Sequence, residues 1–270
     1  MTFGARFTAA LAERGPLCVG IDPHVGLLQE WGLPATVAGL ERFAVTAVEA
    51  IAPQVAVVKP QSAFYERFGS AGVAVLEKVI ATARQAGALV LLDVKRGDIG
   101  STSHAYAEAY LDPASPLAAD AITVSPYLGF GSLDPFVEVA RRHHAGLFVL
   151  AFTSNKEGPE VQSASIGRTS VGATMIDHLR DLNADAEPLG SFGAVIGATI
   201  GDLGVDFDFN GPILAPGFGE QGGTPADLAR IFGAALPQVT PSTSRGVLRA
   251  GPTSVGLVTR VREVAASLRS

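Results

Sequence analysis

The sequence predicts a (β/α)8 TIM barrel, an α/β fold of eight parallel strands alternating with helices, built as one domain over residues 1–270. Three observations predict it. Eight short runs rich in Val, Ile and Leu recur at 17–21, 55–59, 89–93, 120–124, 146–151, 193–198, 212–215 and 245–249. They lack the apolar/polar alternation of a strand with one wet face, as expected of parallel strands covered on both sides. Between most of them lie segments with apolar residues at three- and four-residue spacing, at 37–51, 71–86, 134–143, 168–182, 225–235 and 254–268; that is the period of a helix burying one face. A doubly wound open sheet is the competing arrangement, but no Gly-rich dinucleotide fingerprint follows the first run.

Taken in order, the first residues carry Arg6 and Arg14 on an amphipathic pattern with no continuous apolar stretch, so neither a secretory signal nor a membrane anchor is expected and the chain reads as cytoplasmic. The first run holds the single cysteine, Cys18, which reads as a small core residue. The second run ends in Lys59 and the third is closely followed by Lys95. After the fifth run, 152–167 is rich in Ser, Gly and charge; it is expected at the C-terminal face, either as a lid or as a tolerated insertion. A second excursion, 183–192, with Asn183, Pro188 and Gly190, is expected on the opposite face. The seventh run leads into a Gly-rich turn at 217–223, and Arg245 is expected to open strand eight. A net charge of -6 with scattered basic residues gives no footprint for nucleic acid or an anionic membrane, which leaves a small molecule as the expected partner.

The lysines are sparse. Only Lys59, Lys78, Lys95 and Lys156 occur, against sixteen arginines. Arginine stays protonated, whereas lysine can give up its proton, so a lysine among carboxylates at a strand end is a candidate acid. Asp22, Lys59, Asp93 and Lys95 all fall at predicted C-terminal strand ends and hence around one rim of the barrel. Residues 93 and 95 are expected on the same side of an extended chain, Gly97 permits a sharp turn, and Asp98 begins the next element. The plainer alternative makes Asp98 a helix N-cap and Asp93/Lys95 a structural ion pair. Gly217, Gly219 and Arg245 sit where barrels often bind phosphate. The five histidines show no metal-ligand spacing, so no catalytic metal is expected.

The segment Asp93-Val94-Lys95-Arg96-Gly97-Asp98-Ile99-Gly100-Ser101-Thr102 closely resembles the signature of orotidine 5'-phosphate decarboxylases, and the larger bacterial (type 2) branch in its length. Val19-Gly20-Ile21-Asp22-Pro23, Lys59-Pro60-Gln61, Thr123-Val124-Ser125-Pro126-Tyr127, the 216–223 turn and Ser244-Arg245-Gly246 extend the resemblance over nearly the whole chain. The resemblance implies a cofactor-independent carboxy-lyase converting orotidine 5'-phosphate to UMP in pyrimidine biosynthesis, working as a homodimer with shared active sites. It implies that Lys59, Asp93 and Lys95 of one chain and Asp98 of the other form a charged array, with Lys95 the proton donor. It further implies that Asp22 holds a ribose hydroxyl, Thr102 serves the partner's site, Ser125 contacts the pyrimidine, and Gln221, Arg245, Gly217 and Gly219 serve the phosphate. Magnesium-dependent sugar-phosphate barrels such as keto-gulonate-phosphate decarboxylase or hexulose-phosphate synthase share the Asp-x-Lys-x-x-Asp spacing and are the nearest alternatives. A Schiff-base aldolase and a non-catalytic phosphate-binding module are the more distant ones.

Overall fold

The computed structural model describes residues 1–201 and 203–268. Eight strands close a barrel in the order β1-β10-β9-β8-β5-β4-β3-β2, every pairing parallel. They are β1 (Cys18–Ile21), β2 (Val57–Pro60), β3 (Leu89–Arg96), β4 (Ala121–Val124), β5 (Gly146–Phe152), β8 (Phe192–Ile196), β9 (Ile213–Pro216) and β10 (Val239–Thr243). The remaining two, β6 (Ser165–Ile166) and β7 (Thr169–Ser170), form a small antiparallel hairpin outside the barrel.

Side-chain parity organises the interior. Cys18, Val57, Leu91, Ala121, Phe148, Val195 and Leu214 share one cluster inside the barrel, while their sequence neighbours Val19, Val58, Val90, Leu92 and Ile122 belong to the layer between strands and helices. This is the period-two alternation of a strand wall with apolar groups on both faces. Two residues further up, the same inward parity reads Gly20, Lys59, Asp93 and Thr123, so the interior turns from apolar to charged on climbing towards the C-terminal strand ends.

The bottom is stoppered by α1 (Phe3–Arg14), whose Phe3 and Phe7 pack against Phe148. Gly146 makes room: a Cβ there would lie 2.3 Å from the Phe3 ring. Arg6 pairs with Asp120 and fastens the helix to the start of β4. The 183–192 excursion lies at this same end, with Gly4 N donating to Ser191 Oγ and Asn183 bonded to the Phe192 backbone. No helix among the described residues is long and apolar enough to cross a membrane.

The helices α3 (Val37–Ile51), α7 (Asp134–His143) and α12 (Ser254–Ser267) fall where the periodicity predicts them. Strand eight does not. The expected strand at 245–249 is a short helix, α11 (Arg245–Leu248), and the strand is the preceding Val239–Thr243. Its Val-Thr-Pro-Ser-Thr sequence is more polar than the other barrel strands, yet all five residues are buried; Thr240 meets its need by donating to Pro16 O at 2.6 Å. Two further helices bear on the site: α4 (Ala63–Glu66) after β2, and α6 (Gly100–Leu111) after β3.

Candidate active site

Asp93 is the centre of the rim. Its Oδ2 accepts from Lys59 Nζ at 2.8 Å, and its Oδ1 accepts from Lys95 Nζ at 2.6 Å and from Thr123 Oγ1 at 2.8 Å. Burial alone would raise the Asp93 pKa, but the Lys59 and Lys95 charges and their hydrogen bonds outweigh it and hold the carboxyl well below the usual range. Burial would likewise push the Lys59 ammonium down; the Asp93 and Asp22 charges and the bond to Asp93 overcome that and raise it. Lys59 and Asp93 are thus both charged at any ordinary pH. Lys95 differs in exposure: its side chain is 45% exposed against 8% for Asp93 and Lys59, so its ammonium faces the open cavity.

The way β3 delivers Lys95 departs from the extended chain expected from sequence. Leu92 pairs with Ile122 and Arg96 with Val124, so four steps along β3 match two along β4 and β3 carries a bulge. Within it Lys95 takes φ +45°, a conformation unusual for a non-glycine residue, with its N–H donating to Thr123 Oγ1 at 2.9 Å. Gly97 provides room more than a sharp turn: a Cβ there would lie 2.4 Å from the Ser125 carbonyl oxygen. Asp98 is not the N-cap of α6. That position belongs to Ile99, and Asp98 Oδ1 accepts from the Ile99 N–H at 2.8 Å.

Above the array opens a cavity of about 560 Å³, lined by Asp22, Lys59, Asp93, Lys95, Gly217, Gln221 and Arg245 among the residues singled out from sequence. Asp98, Thr102, Ser125 and Gly219 are not part of that lining. Ser125 instead donates its N–H to Arg96 O at 2.8 Å. The serine in the cavity is Ser154, from the segment after β5; its hydroxyl donates to Gln221 Oε1 at 3.4 Å and so links that segment to the Gly-rich turn. Thr153, Asn155 and Gln162 of the same segment also line the cavity, with Gln162 bonded to both the N–H and the hydroxyl of Thr153. Gly217 lines it with φ +99°, and Gly223 N donates back to Gly217 O at 3.1 Å to close the turn.

Thr123, Gln61 and Ser244, which the sequence offers only as members of its motifs and with no role of their own, also line the cavity, as does His24, which lies beside one of those motifs. Thr123 had a readable signal, since it shares inward parity with Ala121. The His24 ring lies 4.0 Å from that of Phe64, tilted at 54° to it, and burial, with the Arg245 charge, lowers its pKa against the opposing pull of Asp22. Ser244 Oγ and Asp22 Oδ1 are buried polar atoms with no hydrogen-bond partner among the described residues. Gly20 lets them approach, because a Cβ there would meet Asp22 Oδ2 at 2.7 Å and Ser244 Oγ at 3.1 Å. Unsatisfied polar atoms lining a cavity are what a hydroxyl-bearing ligand would complete. Among the described residues, no group of three or more His, Cys, Asp and Glu side chains is placed to hold a metal ion.

Comparison with known proteins matches the chain to one family. The profile of the Orotidine 5'-phosphate decarboxylase / HUMPS family matches residues 15–254. An orotidine 5'-phosphate decarboxylase of Nocardioides sp. is 72% identical over 251 residues, 92% of each chain. A crystal structure of a Streptomyces avermitilis protein assigned as an orotidine 5'-phosphate decarboxylase is 62% identical with a TM-score of 0.97, covering 99% of this chain and 95% of that one. The OMP decarboxylase of Leishmania donovani is 30% identical with a TM-score of 0.79 over the whole of both chains. The chain, with its closed parallel barrel and its Asp93-x-Lys95-x-x-Asp98 rim, belongs to the orotidine 5'-phosphate decarboxylase family.

Proposed function

We propose that this chain converts orotidine 5'-phosphate to UMP and CO2 in pyrimidine biosynthesis, with Lys95 delivering the proton. The observation that carries the reading is Asp93, a buried carboxylate gripped by two lysines where the cavity begins, with Arg245 and the 217–223 turn also lining that cavity. Loss of CO2 breaks the bond from C6 of the pyrimidine to its carboxyl carbon and leaves the electron pair on C6, with no adjacent carbonyl to delocalise it. Fixed charges in a site shielded from water are the usual means of stabilising such a centre. The Lys95 ammonium faces the developing pair and then transfers its proton to C6, giving UMP; the neutral amine regains a proton from solvent. This route asks for no metal or electron-sink cofactor.

Asp93 near the substrate carboxylate sets up like-charge repulsion that is relieved as neutral CO2 departs. Arg245, Gly217 and Gln221 bind the phosphate, where a planar guanidinium suits the anion and remote binding helps order the site. Asp22, with its unpartnered Oδ1, takes a ribose hydroxyl. The pyrimidine contact assigned to Ser125 is better met by Ser154, which lines the cavity. Gly219 serves the turn by its φ of +74°.

Asp98 and Thr102 are proposed to complete the site of a second chain in a cytoplasmic homodimer. Neither lines its own cavity, and they stand beside Ile99 (63% exposed), while Tyr127 (77%) and Leu128 (53%) leave further large apolar side chains uncovered after β4. Exposed apolar groups of this size mark interaction surfaces.

The test is the loss of orotidine 5'-phosphate absorbance with purified protein in excess EDTA. Rapid formation of UMP is expected. No conversion by folded protein would move the assignment to the magnesium-dependent sugar-phosphate enzymes.

A further inference from the structure

The return of β3 into the sheet after its bulge is held from outside the barrel by one side chain. Arg96 donates to the Tyr110 hydroxyl through Nε at 3.2 Å and Nη2 at 3.1 Å, and Nη2 also reaches Glu66 Oε1 at 2.7 Å. Its guanidinium carbon lies 5.3 Å from the Tyr106 ring centroid and 5.8 Å from that of Tyr110. Glu66 is on α4, which follows the strand bearing Lys59, while Tyr106 and Tyr110 are on α6, which follows the strand bearing Lys95. One planar fork therefore joins the two segments that leave the lysine-bearing strands. A lysine ammonium would not reproduce the bonds and ring contacts together.

The residue before Arg96 is the one in need of support. A left-handed backbone at a long side chain persists only where its surroundings over-determine it. On the inner side, Lys95 N is tied to Thr123 Oγ1; on the far side, Arg96 O accepts from Ser125 N and the Arg96 side chain is fixed by α4 and α6. We propose that Arg96 is a positioning residue, which by anchoring the backbone next to Lys95 to Tyr110 and Glu66 holds the left-handed turn that aims the Lys95 ammonium at Asp93 and the cavity. Its kinetic consequence rests on the decarboxylase reading; its structural consequence does not.

The sparse lysines make the second consequence measurable. With 13C-lysine, four side-chain signals arise, and those of Lys78 and Lys156, both exposed and each paired with a glutamate, are surface references outside the array. Arg96→Met is expected to move the Lys95 signal and leave those references in place, and Tyr110→Phe, which deletes only the shared hydroxyl, is expected to move it less. In steady-state assays Arg96→Met should lose on the order of 10- to 100-fold in kcat, the scale of a misplaced catalytic group. KM and UMP affinity should stay within about twofold, since ground-state binding is untouched. An unmoved Lys95 signal in Arg96→Met, or turnover retained despite a lowered melting temperature, would overturn the role. So would equal loss of kcat and UMP affinity, which marks collapse of the cavity. If Arg96→Met does not fold, Tyr110→Phe decides in the same way. If the unaltered protein leaves orotidine 5'-phosphate intact, the decarboxylase reading fails by itself, and the Lys95 signal still decides whether Arg96 positions it.

Discussion

Asp93 accepts from Lys59, Lys95 and Thr123 at once, so its carboxylate acts as a fixed charge and not as a proton carrier. Lys95 is the member of the set that can be removed without burying an orphan, because its side chain is half exposed. Lys95→Ala is accordingly expected to keep the melting temperature and UMP binding while losing about 10²- to 10⁴-fold or more in turnover; near-normal turnover would remove Lys95 from the chemistry. Asp93→Asn has the opposite profile in stability. It leaves the buried Lys59 ammonium without its anion, at a cost of roughly 3–5 kcal/mol by urea titration at neutral pH. The deficit should depend on pH in a definite sense. Because the Asp93 carboxyl lies below its ordinary value in the fold, the unfolded chain takes up the proton first, and the stabilisation present above about pH 5 drains away as acid is added. The raised Lys59 contributes fully below its ordinary 10.5 and is lost only as alkali is added beyond that. The gap between the unaltered protein and Asp93→Asn should therefore be flat near neutrality and narrow towards about pH 3; a constant gap would mean that other carboxylates carry the acid sensitivity.

Among the elements, those whose periodicity is set by burial were legible. Val37–Ile51 and Asp134–His143 were read with the bounds the structure has, since each presents one apolar stripe to the barrel. Strand eight was misread because its Thr, Pro and Ser side chains lie in a buried wall, while the more apolar Arg245–Leu248 forms a helix. The helical period does not mark Gly100–Leu111, whose Gly, Ser, Thr, Ala and Tyr residues give little hydrophobic asymmetry, and only the N-cap alternative for Asp98 hinted at a helix there. The charged rim was legible because Lys59, Asp93 and Asp22 follow apolar runs directly, and a strand end is a place a sequence marks. The bulge was not: it depends on how β3 pairs with β4, which no local pattern records. Ser154 was overlooked for a related reason, since only the folding back of the chain after β5 brings it to Gln221. At this scale α1 yields its own prediction. Gly146→Ala forces the Phe3 ring aside and should cost on the order of 1–3 kcal/mol through overpacking, seen as a lower melting temperature with kcat at 25 °C unchanged. An unaltered melting temperature would mean that α1 does not seat on β5 as described.

Over the whole molecule, stability and chemistry are assigned to opposite ends of one barrel: aromatic stoppering at the bottom, opposed charges at the top. The shared-site proposal makes a prediction that belongs only to the assembly. Chains of Lys95→Ala and Asp98→Ala, each inactive alone, should regain about a quarter of the full activity when unfolded together and refolded as an equal mixture, because half of the dimers are mixed and each has one intact site. Absence of any recovery would return Asp98 to its own chain.

The seam between β1 and β10 carries a consequence for how the protein comes into being. Thr240 reaches Pro16 across 224 residues of chain, and Cys18 pairs with Ser242, so the wall is shut by partners far apart along the polypeptide. A nascent chain must expose β1 as an open edge until β10 has been made, and such long-range closure is slow and prone to wrong pairing. The two sides of the cavity arise from the same two stretches, Asp22 just after β1 and Arg245 just after β10. A ligand spanning both therefore recognises only a chain whose last seam has closed, and draws the folding equilibrium towards that state by mass action.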